Sequence, residues 1–155
     1  MGGIRIIPDI TVDEFDTNLA DALILPGADT WLEPKYKPTL AIIQQCLESN
    51  VLVAAICGAT SILAQAGILD NRKHTSNDLT YLQAVSPNYK GESFYVSDPA
   101  VTDGNLITAT GLAPLEFAHE VLKYLDVMNP QTLNAWFKLF QTRDPKYFFA
   151  LMGKD

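Results

Sequence analysis

The sequence predicts a single α/β domain built on a mostly parallel sheet, and three observations carry that prediction. Short apolar runs alternate with stretches that repeat at helical spacing, the order needed by parallel strands joined through crossover helices. The run Val51-Leu52-Val53-Ala54-Ala55-Ile56 is unbroken rather than alternating, as in a strand covered on both faces. With 155 residues, 48% of them apolar and 19% charged, the chain can build one sizeable core and is not disordered by composition.

Taken in order, Ile4-Arg5-Ile6-Ile7 is expected to form a short strand closed by Pro8-Asp9, and Asp21 to Leu25 a buried strand ending at Pro26-Gly27. A helix over about Thr39 to Glu48 places Leu40, Ile43 and Leu47 on one face with Cys46 beside them. After the apolar strand, Ile62-Leu63-Ala64 opens a helical repeat that Gly67 closes. A strand is expected to carry Lys73, His74 and Thr75, followed by a helix from Asp78 to Val85. Phe94-Tyr95-Val96 and Leu106 to Ala109 read as strands joined by a hairpin-like Asp103-Gly104-Asn105 turn. Glu116 to Leu125 is an amphipathic helix, Asn129-Pro130 interrupts the chain, and Gln131 to Met152 is helical and aromatic. Residues 1–127 are thus expected to form the domain. Residues 128–155 form a helical extension, packed on it or serving as a dimer face.

The most informative stretch is Val51 to Gly67, which reads as a strand, a sharp turn bearing Cys57, and a helix. The residues around the thiol are small: Ala55 before it, Gly58, Ala59, Thr60 and Ser61 after it. A tight strand-to-helix corner of this kind is a nucleophile elbow with sulfur in place of the usual serine oxygen. A thiol so placed meets unpaired backbone N–H groups and the positive end of a helix dipole, both of which favour the thiolate. Cys46, on the apolar face of its helix, reads as core. Two cysteines of such different character do not make a disulfide framework, which predicts a reducing, cytoplasmic setting.

Charge and patterning exclude other classes. A net charge of −7 without a Lys/Arg cluster argues against nucleic acid as a partner. The start Met1-Gly2-Gly3-Ile4-Arg5 lacks a secretion signal pattern, and no apolar run approaches the ~20 residues of a membrane span. No set of His, Cys and carboxylates has metal-ligand spacing, so neither a metal nor another cofactor is expected.

Leu25-Pro26-Gly27, Ala54-Ala55-Ile56-Cys57-Gly58, Ala66-Gly67-Ile68-Leu69 and Lys73-His74-Thr75-Ser76 together resemble the ThiJ/PfpI family of the class I glutamine-amidotransferase-like superfamily. Asp103 to Thr108, Thr110-Gly111 and Glu116-Phe117-Ala118 extend the resemblance, which covers about Ile4 to Leu125. It implies a flavodoxin-like three-layer α/β/α sandwich, a homodimer, and cysteine chemistry that in this family includes proteolysis, glyoxalase-type and deglycase-type reactions and stress sensing. In the family an opening strand and helix come first, and the loop between them supplies a glutamate beside the cysteine. Those have no counterpart here. The favoured expectation is a chain shortened at its start, with a gap in the sheet and one member of the site missing; the alternative is a fold completed by a partner subunit or a rearranged sheet.

The site expected from these residues has Cys57 as nucleophile and the N–H groups of Gly58 and Gly27 as oxyanion donors. His74 is the candidate acid/base partner, because imidazole titrates near neutrality, and spacing offers Asp78 or Asn77 to orient its ring. Trp31, Asp78 and Gly111 are candidate pocket residues. His119 and Glu120 are adjacent, whereas an amidotransferase uses a His and a Glu two residues apart, so a glutaminase triad is not expected. The leading expectation is an enzyme acting through a Cys57 adduct on a small carbonyl or acyl compound. The alternatives are a cysteine-based oxidation sensor without turnover, or an amidotransferase-like domain lacking glutaminase activity.

Overall fold

The computed structural model describes residues 4–152. Four strands form one sheet: β1 (Ala22–Leu25), β2 (Leu52–Ile56), β3 (Ala100–Asp103) and β4 (Leu106–Ala109), in the spatial order β1-β2-β4-β3. β1 and β4 both run parallel to the central β2, with Leu25 opposite Ala55 and Ala55 opposite Thr108. β3 pairs antiparallel with β4 at the edge. Among the described residues, six α-helices complete the fold: α1 (Lys37–Glu48), α2 (Ala59–Gln65), α3 (Leu79–Val85), α4 (Pro114–Tyr124), α5 (Pro130–Thr142) and α6 (Pro145–Leu151).

Strand periodicity divides the core into two layers. Val53, Ala55, Leu25 and Leu106 face one side and pack with Ile43 and Cys46 of α1, Ile62 and Leu63 of α2, and Leu82 of α3. Leu52, Ala54 and Ile107 face the other side, against Phe117, Val121 and Tyr124 of α4. Both faces of β2 are therefore covered, which explains its unbroken apolar sequence. The result is the three-layer α/β/α sandwich that the sequence predicts.

The hairpin turn is stitched to the rest of the sheet by a buried amide. Asn105 Nδ2 donates to the carbonyls of Leu47 at 3.0 Å and Val51 at 3.1 Å, and its Oδ1 accepts from Arg72 Nη1 at 3.2 Å. Three contacts from one side chain fix where α1 hands over to β2, and hence where β2 ends. That end carries the site.

Several expected elements differ. Ile4 to Ile7 forms no strand. Its isoleucines at 4, 6 and 7 are more than four-fifths exposed, and no strand among the described residues offers them a partner. Phe94 to Val96 is not the strand before the hairpin. Glu92–Phe94 is a 3-10 turn, Tyr95 makes only an isolated parallel bridge with His74, and β3 begins at Ala100. The strand expected at Lys73 to Thr75 is reduced to that same bridge. The aromatic tail is two helices rather than one, because Arg143 turns left-handed at φ 58° and Pro145 starts a new helix. α5 packs on α4, and α6 on α5.

The sheet does not contain the expected internal gap. β1, β2, β4 and β3 are contiguous, and among the described residues it is the outer edge of β1 that carries no paired strand. α4 covers β2, β3 and β4, so Ile24 of β1 stays 44% exposed on that face.

Candidate active site

The end of β2 and the start of α2 build the site around Cys57. The Cys57 N–H donates to the Ala109 carbonyl at 2.9 Å, prolonging the ladder by one step beyond the strand. Its own carbonyl accepts from Thr60 N at 3.1 Å and Thr60 Oγ1 at 2.8 Å, which begins the helix. Between these two anchors the backbone must reverse within one residue, and Cys57 adopts φ 60°. A left-handed residue other than glycine costs on the order of 1–3 kcal/mol. Strand bond and helix bonds together hold it there and turn the thiol out of the sheet end.

Two glycines clear the space around the sulfur and a third lets the β1 end loop close on the elbow, none of them by virtue of a positive φ. A Cβ on Gly27 would sit 2.9 Å from Cys57 Cβ, and one on Gly111 would sit 2.7 Å from Cys57 Sγ. A Cβ on Gly58 would run into the Ala28 carbonyl. The β1 end loop, the elbow and the loop after β4 thus close on one another as far as side-chain-free backbone allows. They enclose a cavity of about 370 Å³ lined by Gly27, Ala28, Asp29, Ile56, Cys57 and Gly111. Gly27 and Gly111 approach the thiol, whereas Gly58 abuts the Ala28 backbone. Among the described residues, neither the Gly27 nor the Gly58 N–H donates to a backbone carbonyl.

The side chain that touches the sulfur is Asn77. Its Nδ2 donates to Cys57 Sγ at 3.4 Å, and its Oδ1 accepts from the Gly111 N–H at 2.9 Å. One amide therefore bridges the nucleophile and the loop opposite. The segment leading to it is held residue by residue. The Thr75 N–H donates to Thr108 Oγ1 at 2.9 Å, and Ser76 Oγ lies 2.7 Å from Thr60 Oγ1. The same Thr60 hydroxyl contacts the Cys57 carbonyl, so the elbow and the Asn77 segment share a hydrogen-bond network.

His74 does not reach the thiol. It is fully buried, with Nδ1 2.6 Å from the Arg72 carbonyl and Nε2 2.6 Å from Tyr89 Oη. A carbonyl only accepts, so Nδ1 carries the proton. Neutral Nε2 then accepts from the Tyr89 hydroxyl. The Tyr89 and Tyr95 rings meet the imidazole edge-on at 5.5 and 5.7 Å. Burial lowers the His74 pKa below its ordinary value, against the opposing effects of the Arg72 carbonyl and Asp70. Burial also pushes the Tyr89 phenol up to about 12, helped by Tyr95, Asp70 and Glu92, so it remains a donor. His74 is a structural residue with both nitrogens engaged. Its assignment as acid/base partner is corrected accordingly.

Two other expected site residues serve local structure. Asp78 is the N-cap of α3, accepting from the Tyr81 N–H at 3.1 Å. Trp31 stands outside the cavity lining, donates from Nε1 to the Pro26 carbonyl at 2.8 Å and packs on Tyr36. His119 and Glu120 contact each other, Nδ1 to Oε1 at 3.2 Å, but line a separate cavity with Asp98 and Phe137. Cys46 is fully buried, and burial pushes its thiol pKa up. Among the described residues, no group of His, Cys, Asp and Glu could hold a metal ion. No helix among them is long and apolar enough to cross a membrane.

Asn77 was legible in principle. An extended segment alternates its side chains, so in Lys73-His74-Thr75-Ser76-Asn77 the imidazole and the amide cannot both face the thiol. What the sequence lacked was the direction of the segment across the elbow. Asp29 carries a weaker signal, standing two residues after a glycine that needs no side chain.

A partly buried cysteine on a strand–helix elbow, at the C-terminal end of the parallel strands and in a glycine-walled cavity, defines a cysteine-elbow α/β protein. The DJ-1/PfpI family profile matches residues 1–124, and the chain belongs to that family. It is 55% identical over 153 residues to the uncharacterized protease YoaZ of Bacillus subtilis, covering 99% of this chain and 73% of that protein. A solved ThiJ/PfpI family protein from Bacillus anthracis superposes with a TM-score of 0.95 at 54% identity, covering 99% of this chain and 73% of its own. The deglycase TK1284 of Thermococcus kodakarensis is 32% identical over 108 residues, covering 69% of this chain and 63% of that protein.

Proposed function

We propose that the protein is a cysteine-dependent enzyme, of hydrolase or glyoxalase/deglycase type, acting on a small carbonyl or acyl compound. The observation that carries this reading is the setting of Cys57: a left-handed elbow residue facing a cavity of about 370 Å³, with an amide donor on its sulfur. The cavity suits small substrates. The names of the relatives, a protease and a deglycase, both fit electrophilic carbon as the target.

In the proposed step, Cys57 Sγ forms a bond to the carbonyl carbon and the π electron pair moves onto oxygen. The N–H groups of Gly58 and Gly27 are the donors available to that oxyanion. The adduct of an aldehyde is a hemithioacetal once the oxygen takes a proton. With an acyl compound, the oxyanion re-forms the carbonyl, the leaving group departs with the bonding pair, and water later cleaves the thioester. Asn77 Nδ2 steadies the sulfur during attack and departure, while its Oδ1 keeps the Gly111 loop in place. The reading carries with it a reducing, cytoplasmic setting and a homodimer, the latter read by light scattering.

The test is turnover of a panel of small aldehydes and thioesters by the wild-type chain and by Cys57→Ser and Cys57→Ala. Loss of all turnover in both variants, with an unchanged melting temperature, is the expected result. Full activity in Cys57→Ser sinks the proposal. A second reading, oxidation sensing without turnover, is favoured by the contrast between accessible Cys57 and fully buried Cys46. Mild peroxide followed by intact mass distinguishes it: stoichiometric oxygen addition at Cys57 in a chain that turns over nothing.

A further inference from the structure

Asp29 gives the cavity a charge. It is the only ionisable side chain besides the thiol among the residues lining the Cys57 cavity, whose other members are Gly27, Ala28, Ile56 and Gly111. Among the described residues the Asp29 carboxylate makes neither a salt bridge nor a side-chain hydrogen bond. The nearest basic side chain in sequence, Lys35, is engaged by Glu33 at 2.8 Å and lies over the Tyr36 ring. Nothing on this loop neutralises Asp29.

The loop itself is held on both sides of Asp29. Before it, Ala28 packs its carbonyl against Gly58 so closely that no Cβ fits between them. After it, Trp31 Nε1 reaches back to the Pro26 carbonyl at 2.8 Å, and the Glu33 N–H closes a turn on the Thr30 carbonyl at 2.9 Å. The backbone that presents Asp29 is therefore fixed relative to the elbow, and Asp29, an exposed residue, lines the same cavity as the sulfur. An anion on the rim of the thiol's cavity attracts cations and repels anions, and at an exposed carboxylate the effect weakens as salt is added.

We infer that Asp29 selects the substrate by charge: the cavity accepts small carbonyl compounds bearing a protonated amine and disfavours those bearing a carboxylate. This rests on the reading of Cys57 as the reacting group, and it adds the substrate class to that reading. The amine would pair with Asp29 while the carbonyl carbon approaches Sγ. An α-keto acid would place its carboxylate against the same wall.

The test uses thiol reagents of one reactive group and three charges: methanethiosulfonates carrying a trimethylammonium, a methyl or a sulfonate. Each transfers its thio group to Cys57 Sγ and releases methanesulfinate, and Cys46 serves as the buried control. Rates for the charged reagents are divided by the rate for the neutral one, which removes differences in intrinsic thiol reactivity between variants. Wild type is expected to favour the cation over the anion, and Asp29→Asn to reduce that ratio about tenfold. Asp29→Lys is expected to invert it. Glu48→Gln, an exposed acid on α1 outside the cavity, changes net charge by the same amount and should leave the ratio unchanged. A ratio unaltered in Asp29→Asn, or lowered equally by Glu48→Gln, overturns the inference. Labelling needs no turnover, so a chain that converts no carbonyl compound still reports on Asp29. Turnover with a flat labelling ratio removes the charge selection alone.

Discussion

Replacing Asn77 by aspartate tests how the thiol is held. The change preserves size and keeps an oxygen to accept the Gly111 N–H, 2.9 Å away, but exchanges the donor on Cys57 Sγ, 3.4 Å away, for a second oxygen with negative charge. Two like unit charges about 4 Å apart repel by ~1 kcal/mol in water and by ~4 kcal/mol at the effective dielectric near a protein surface. Cys57 is partly buried, so a value between these limits applies, about 2 kcal/mol. Since ~1.4 kcal/mol is a factor of ten, attack by the Cys57 sulfur should slow about 30-fold. The rate of iodoacetamide labelling at Cys57 should fall with it. Asn77→Ala loses the hydrogen bond without adding charge, which at ~1.5 kcal/mol for a bond to a charged group gives roughly a tenfold loss. The order expected at pH 7 is therefore wild type, then Asn77→Ala, then Asn77→Asp. Labelling of Asn77→Asp at the wild-type rate, in a chain with unchanged melting temperature, would refute the role given to this amide.

Three further outcomes follow from packing and titration. Because burial depresses the His74 pKa from 6.5, the unfolded chain binds the extra proton first as pH falls. The stability contributed by neutral His74 is thus complete above that value and is lost as pH drops below it, which urea denaturation between pH 8 and 5 should show. Tyr89→Phe leaves buried His74 Nε2 without its partner and should cost about 1–3 kcal/mol in the same assay at pH 8; an unchanged midpoint would contradict the tautomer assigned here. Gly58→Ala forces a methyl group into the Ala28 carbonyl and should destabilise the chain by about 1–3 kcal/mol or more, with Cys57 labelling altered in whatever remains folded.

The family and the elbow are both legible in the sequence. An unbroken apolar strand, a cysteine and a run of small residues constrain the backbone locally, and local constraint is what a sequence states directly. The hairpin turn at Gly104-Asn105 is legible for the same reason, whereas the strand leading into it is Ala100–Asp103, later in the chain than the strand-forming residues at 94–96 suggest. Phe94 to Val96 has strand-forming residues, but a 3-10 turn at Glu92–Phe94 and the bridge to His74 use the backbone differently. Ile4 to Ile7 shows the converse: β-branched residues make a strand only where a neighbouring strand completes their hydrogen bonds.

The sequence by itself determined that Cys57 stands on a sharp turn between a doubly covered strand and a helix, because the pattern of apolar and small residues allows little else. Only the tertiary structure decided what stands opposite the sulfur. His74 had the right chemistry and lies in the right segment, yet the packing of Tyr89 and Tyr95 draws it into the core. Asn77, three residues on, reaches the thiol instead. The neighbours of a side chain across a fold depend on how separate elements pack and which way each segment faces, and these are set by long-range contacts that no local stretch of sequence encodes.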